Sequence, residues 1–151
     1  NATFSKNKIA SFSEYVFNYD TNTEDELMHT NTDLAFSPNF IAAAGLIYEP
    51  MKGFEIGMIS KYVGDQYLDN TMSDERKIDD YFFANFQLTY TLKNILFKKM
   101  TFGLQINNAF NKMYENNGYT WGFISGGERI SENFYYPQAG RNFMTRLTIS
   151  L

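Results

Sequence analysis

Four side chains that could contact a ligand lie in one polar stretch of the sequence, Asn116 to Asn133. Tyr119, Trp121 and Phe123 are aromatic, and Arg129 follows them with a permanent positive charge. Exposed rings beside one guanidinium could hold an anionic or aromatic ligand such as a ferric chelate. The same rings could instead anchor the stretch at an interface or pack within it. Both interpretations stay open at this point.

Metal binding and catalysis find little support in the sequence. The acidic clusters Glu24-Asp25-Glu26, Asp74-Glu75 and Asp79-Asp80 match no calcium-loop spacing and are expected to be solvated loops. The only histidine, His29, could ligate haem iron, but a lone histidine in a polar stretch is more simply a surface residue. No cofactor and no metal site are therefore expected. The sequence has no GxSxG, P-loop or HExxH motif and no second histidine, and we predict that the protein is not an enzyme.

Composition narrows the class further. The chain has 151 residues, a net charge of −4 and no cysteine, which argues against a nucleic-acid partner and excludes disulfides and thiolate sites. Its length fits one domain over residues 1–151. Its start at Asn-Ala-Thr suggests a fragment or a processed product. The longest apolar run, Phe40 to Tyr48, is far short of the ~20 residues of a membrane-spanning helix.

The elements that must position these residues show a period of two. In Tyr81 to Leu92, "YFFANFQLTYTL", every second residue from Phe82 is apolar and the residues between are polar apart from Phe83. The pattern recurs at Met100 to Asn107, at Phe54 to Val63 and from Phe143 to the last residue. A weaker first strand is predicted near Ala2 to Ile9, and Phe40 to Tyr48 is apolar on both faces, so its orientation stays open. The sequence thus predicts six antiparallel strands.

The predicted connections alternate between short and long. Residues 49–53 and 93–99 are short turns, whereas 10–33, 69–80 and 111–133 are predicted to be long polar loops. All short turns then lie at one end of the sheet and all long loops at the other.

Such a sheet could be half of a soluble domain or part of an outer-membrane barrel. Six alternate apolar positions span 11 residues in the clearest strand, and at ~3.3 Å per residue and a tilt near ~45° they cover roughly 25 Å, the height of a lipid-facing band. The aromatic residues fall near strand ends, as in the two interfacial girdles of a barrel, and the unequal connections resemble short periplasmic turns and long extracellular loops. All three features favour the membrane. The residues expected to face lipid are Phe82, Phe86, Leu88, Phe102, Leu104, Ile106, Phe143, Leu147 and Ile149. Those expected to face the lumen are Glu55, Lys61, Asn85, Gln87, Gln105, Asn107 and Arg146.

Several stretches resemble a known family. "LTYTL", "FGLQINNAFNKMYENNGYTW" and "FYYPQAGRNFMTRLTISL" are similar to the C-terminal part of TonB-dependent outer-membrane receptors of the Bacteroidetes type, and upstream stretches such as "FSPNFIAAAGLIYEP" fit the same group. The resemblance covers essentially the whole chain. It implies an all-β fold, about six strands of a barrel of about 22 strands closed by a plug.

The resemblance also implies a location and partners. These are outer-membrane lipid, the missing strands and plug of the same receptor, the TonB complex acting through the absent N-terminal part, and a small-molecule cargo. The cargo would be a ferric siderophore, haem or cobalamin. A TonB-dependent glycan importer is the alternative, and a soluble lectin-like β-sheet module is a further one.

Overall fold

The computed structural model describes residues 1–151 and consists of strands joined by turns and irregular segments. No helix that is long and apolar enough to cross a membrane is present. The strands are β1 (Ala2–Phe4), β2 (Lys8–Asn18), β3 (Thr23–Asp33), β4 (Phe40–Met51), β5 (Phe54–Val63), β6 (Gln66–Tyr67), β7 (Lys77–Ile78), β8 (Tyr81–Lys93), β9 (Lys99–Asn107), β10 (Glu115–Ser125), β11 (Glu128–Pro137) and β12 (Asn142–Ser150).

Six strands form one antiparallel sheet, here called the long sheet, in the order β1-β4-β5-β8-β9-β12. The prediction of six antiparallel strands is confirmed, and most strand limits agree within a few residues. The first strand is the exception. It ends at Phe4 instead of Ile9, because Ile9 belongs to β2 and pairs there with Thr32. The two outermost strands, β1 and β12, each have one unpaired edge, so the long sheet is open.

The register divides the long sheet into two chemically different faces. Directly opposed residues of antiparallel strands share a face, and Phe86 opposes Ile106, which in turn opposes Phe143. Followed across all six strands, this face is apolar at nearly every paired position, interrupted by Ser60 and Thr145. We call it the apolar face and the opposite one the polar face.

The strand whose orientation the sequence left open now has one. Leu46 opposes Met58 and Tyr48 opposes Ile56, which puts the large side chains of β4 on the apolar face. Gly45 and its alternate neighbours lie on the polar face. A strand that is apolar on both sides therefore still contributes its bulky residues to the continuous apolar surface.

Both short turns lie at the same end of the long sheet. Gly53 adopts a φ of 82° between β4 and β5, and its carbonyl accepts a hydrogen bond from Thr91 N at 2.7 Å. A Cβ at position 53 would lie 2.5 Å from the Thr91 carbonyl oxygen, so glycine is required there. The turn between β8 and β9 begins at Asn94, which has a φ of 55°. Asparagine tolerates this left-handed conformation better than most residues.

The three long connections are not the irregular loops that the sequence predicted. Residues 10–33 and 111–133 are largely strands, and together they build a four-stranded sheet in the order β11-β10-β2-β3, here called the connection sheet. Residues 69–80 contain β7, which pairs with β6. These segments form strands because each folds back on itself as a hairpin, which satisfies its backbone without a long apolar run.

The buried core is small, and apart from Ala84 it lies away from the apolar face. Only 12 of 151 residues are buried. Most of them, including Val63, Leu68 and Ile78, lie where the long connections meet the end of the long sheet. By contrast, Leu46 and Phe143 on the apolar face are 60% and 62% exposed. The apolar face is therefore uncovered within this chain.

Candidate functional site

The connection sheet gathers most of the residues that could bind a ligand. In the β10–β11 hairpin, Ser125 opposes Glu128 across the two-residue turn Gly126–Gly127, and both glycines have positive φ. Asn18 of β2 lies beside Ile124 of β10 in a single parallel bridge, which joins the two hairpins near their tips. The sheet thus has two faces. We call the one carrying Trp121 the outer face and the one carrying Arg129 the inner face.

The predicted ligand-binding set is not brought together. Tyr119, Trp121 and Phe123 occupy alternate positions of β10 and share the outer face, where Tyr119 stacks on Phe134 with ring centroids 4.8 Å apart. Arg129 opposes Ile124, so its side chain lies on the inner face. The four residues do not share one face, because a hairpin with a two-residue turn places Arg129 on the side of the sheet opposite to the three rings. Whether any of them binds a ligand stays a prediction.

An ion cluster centred on Arg76 occupies the inner face. The Arg76 side chain is 3% exposed, and its guanidinium contacts Asp69 at 2.6 Å, Glu14 at 3.4 Å and the Ser131 hydroxyl at 2.9 and 3.1 Å. Gly122 makes room for it, since a Cβ there would lie 2.6 Å from the guanidinium. One buried cation therefore joins all three long connections, and its hydrogen bonds offset the cost of its desolvation.

Glu14 accepts contacts from three cationic or titratable side chains at once. Arg129 Nη1 donates to it at 3.0 Å, His29 Nε2 lies 2.8 Å from it, and Arg76 approaches from the third side. Burial raises the pKa of Glu14, but the hydrogen bonds from Arg129 and His29 and the charges of the two arginines outweigh it and hold the pKa below its ordinary value. Glu14 is therefore a carboxylate at neutral pH.

A second carboxylate fastens the tips of the two hairpins. Asp20, just after β2, accepts hydrogen bonds from the backbone N–H groups of Gly126 and Gly127, each at 2.8 Å. These two bonds, that from Gly127 first, lower the pKa of Asp20. Tyr19 N also donates to the Ile124 carbonyl at 2.9 Å. The tip contacts use successive N–H groups of a left-handed turn, a common way of holding an anion.

The remaining candidate ligands are dispersed or already engaged. His29 stacks on Phe12 and contacts Glu14, so it is a member of the inner face and not a free surface residue. Asp74 pairs with Lys77 at 2.8 Å, and the Glu24-Asp25-Glu26 cluster lies within β3 instead of a loop. The structure holds no group of three or more His, Asp or Glu side chains arranged to bind a metal ion.

The two sets of residues predicted for the barrel wall separate by face. All residues assigned to lipid (Phe82, Phe86, Leu88, Phe102, Leu104, Ile106, Phe143, Leu147 and Ile149) lie on the apolar face by register. All those assigned to the lumen (Glu55, Lys61, Asn85, Gln87, Gln105, Asn107 and Arg146) lie on the polar face. Which environment each face meets stays a prediction.

The aromatic residues at the strand ends follow the same division only in part. Phe54 meets Tyr90 at the short-turn end of the apolar face, with ring centroids 6.1 Å apart, and Phe82 meets Phe110 at the other end. Tyr81, the neighbour of Phe82 in β8, lies on the polar face and is buried. Adjacent residues of a strand point to opposite sides, so Tyr81 and Phe82 cannot belong to the same girdle.

Sequence reasoning missed the Arg76 cluster because its members come from three distant segments. Arg76 itself lies just before β7 and donates its backbone N–H to the Ser73 carbonyl in a turn that leads into this strand. The only available signal was the Gly126–Gly127 pair. It indicates a hairpin with a two-residue turn, and the register of that hairpin places Arg129 on the face opposite to Trp121. No protein-family model matches the sequence.

Proposed function

We propose that this chain is a segment of the wall of a TonB-dependent outer-membrane receptor, supplying about six of its roughly 22 strands. The observation that carries the proposal is the uncovered apolar face of the long sheet. It extends over six strands without a charged residue at any paired position. Soluble proteins rarely leave such a surface exposed, whereas in a transmembrane barrel it would meet lipid.

The connections and the edges support the same proposal. Both short turns lie at one end of the long sheet and all three long connections at the other, as periplasmic turns and extracellular loops would. In lipid, each unpaired backbone group of β1 and β12 would cost several kcal/mol. These edges would therefore pair with further strands of the receptor, and the polar face would enclose a lumen occupied by its plug.

The proposed activity is active uptake of a ferric siderophore, haem or cobalamin, driven through the TonB complex. Glycan uptake by the same type of receptor is the second candidate for the cargo. Arg129 lies on the inner face and contacts Glu14, so it does not supply a cationic contact beside the aromatic residues. An anionic chelate would have to find its cationic contacts elsewhere in the receptor.

A soluble lectin-like module is the alternative from another class. Such a domain would cover its apolar face with a second layer. No other strand of the chain packs there, as the exposure of Leu46 and Phe143 shows. The alternative therefore requires a partner layer that the 151 residues do not contain.

Single cysteines would test the proposal, because the chain has none of its own. Leu147 and Thr148 are adjacent, both exposed, and lie on opposite faces of β12. In the outer membrane of cells that produce the protein carrying this chain, Leu147→Cys should react with a lipophilic maleimide and resist a water-soluble one. Thr148→Cys should react preferentially with the water-soluble maleimide. This preference should be weak while the plug fills the lumen and strong once denaturant has released the plug.

Equal reaction of both cysteines with the water-soluble reagent in the assembled protein would count against the proposal. A soluble sheet with neither face in lipid predicts that result, because both side chains are exposed to a similar extent in the isolated sheet.

A further inference from the structure

The outer face of the connection sheet presents a row of exposed aromatic rings. Trp121 and Phe123 have ring centroids 5.1 Å apart, and Phe123 meets Tyr19 edge-on at 5.4 Å. The row thus runs from the β10–β11 hairpin onto the tip of the β2–β3 hairpin. Trp121 is 52% and Tyr19 56% exposed, so their ring faces are accessible to a ligand.

The same face carries carboxylates without partners. Four exposed glutamates lie on it, two on each hairpin, and none of them forms a salt bridge: Glu24, Glu26, Glu128 and Glu132. The one polar contact of these carboxylates is a 3.4 Å hydrogen bond from the Tyr15 hydroxyl to Glu26.

No Lys, Arg or His shares the outer face by register. All the basic side chains of the connection sheet, such as Arg129 and His29, lie on the inner face, where they contact acidic groups. The outer face therefore combines aromatic rings with uncompensated negative charge. This combination favours cations through two kinds of contact, cation–π contacts with the ring faces and charge-assisted hydrogen bonds to the carboxylates.

We propose that the outer face of the connection sheet binds an extended, basic segment of a polypeptide. A small ammonium compound would need a concave cage, but the main cavities lie along the long sheet and its junction with the connections. The aromatic and acidic residues of the outer face line none of these cavities, so the face suits an extended chain better than an enclosed compound. The inference goes beyond the proposed transport function and does not depend on which face of the long sheet meets lipid.

The spacing of the charges fits such a ligand. Glu128 and Glu132 are four residues apart on β11, which places them ~13 Å from each other. Arginines at alternate positions of an extended peptide repeat at half that distance, so every second arginine could meet a glutamate. β11 is also an edge strand of the connection sheet. A peptide could add along its free edge as a further strand.

The test is a binding titration with a dye-labelled peptide of eight residues in which arginine and threonine alternate, followed by fluorescence anisotropy. The protein that carries this chain is held in neutral detergent micelles. We expect Glu128→Gln with Glu132→Gln to weaken binding about tenfold, the combined effect of two exposed charge pairs beside a ring surface. Trp121→Leu should weaken binding of the same peptide without changing the net charge.

A matched control removes the same charge elsewhere. Glu75→Gln with Asp79→Asn changes two exposed acidic residues of another connection and should leave the affinity nearly unchanged. Equal weakening by the two double variants would mean nonspecific attraction and would overturn the proposal, as would equal binding of a peptide with glutamate in place of arginine. Full competition by choline at the peptide's own concentration would assign the face to a small ammonium compound instead.

Discussion

Phe86 and Gln87 offer the sharpest test of the proposal that the apolar face of the long sheet meets lipid. They are adjacent near the middle of β8, which has 13 residues. Phe86 opposes Ile106 on the apolar face, and Gln87 opposes Gln105 on the polar face. Phe86→Arg and Gln87→Arg therefore introduce the same charge at nearly the same depth, in opposite directions.

The expected magnitudes differ strongly. An arginine that faces lipid near the bilayer midplane costs about 2–4 kcal/mol, which corresponds to a factor of about 30 to 900 in the folding equilibrium. At position 87 the arginine would face the polar side. Gly57 opposes that position, and a Cβ there would still lie 3.8 Å from the Gln87 Cβ, so the larger side chain has room. We expect a change below about 0.5 kcal/mol for Gln87→Arg, as for most surface substitutions.

The assay is urea unfolding of the protein that carries this chain with each variant, folded in lipid bilayers, together with the amount of each variant assembled in the membrane. Phe86→Arg should lower the unfolding midpoint and the assembled amount, and Gln87→Arg should leave both near the values of the unchanged protein. Equal tolerance of the two substitutions would refute the assignment of the apolar face to lipid. A larger effect at position 87 would reverse it.

Two further predictions concern the inner face of the connection sheet. Arg76→Met should destabilise this sheet by roughly 3 kcal/mol, the low end for removing one partner of a buried ion pair, because Asp69 and Glu14 keep some contact with water. Hydrogen exchange of the amides of the connection sheet should then accelerate roughly 100-fold, while exchange in the long sheet stays unchanged. Arg141→Met, at an exposed position, is the control. An unaltered exchange pattern in Arg76→Met would contradict the central role of the cluster. Folding lowers the pKa values of Glu14 and Asp20, so the ionised carboxylates stabilise the folded state. This stabilisation is complete above the ordinary carboxyl pKa near ~4 and is lost as the pH falls through the lower pKa values of the folded protein. Exchange in the connection sheet should therefore accelerate below about pH 4, and Glu14→Gln should weaken that dependence; a pH profile that is identical in the variant would show that Glu14 does not contribute to it.

Four strands of the long sheet, β5, β8, β9 and β12, were predictable with their faces because apolar and polar residues alternate within each of them. The alternation from Phe82 to Leu92 indicates both the strand and the residues on each of its faces. A strand pairs with its neighbours in a register that keeps apolar residues on one side. The short turns were equally local, since Gly53 supplies a conformation that other residues resist. Local signals of this kind need no knowledge of the rest of the chain.

The connection sheet could not be predicted in the same way. Its strands are polar and are stabilised by partners far along the sequence, such as Arg76 with Ser131 and Glu14 with Arg129. Composition therefore indicated loops. The Gly126–Gly127 turn was a usable signal for the hairpin, but no pattern in the sequence indicates which segments Arg76 joins.

By itself the sequence determined that the long sheet has six antiparallel strands and, for β5, β8, β9 and β12, which residues share each face, because a period of two is visible among neighbouring residues. Only the tertiary structure decided that the long connections form a second sheet, that Arg129 lies apart from Trp121, and that the glutamates of the outer face have no cationic partner. These features depend on which distant side chains come within hydrogen-bonding distance, and only the folded chain brings those side chains together.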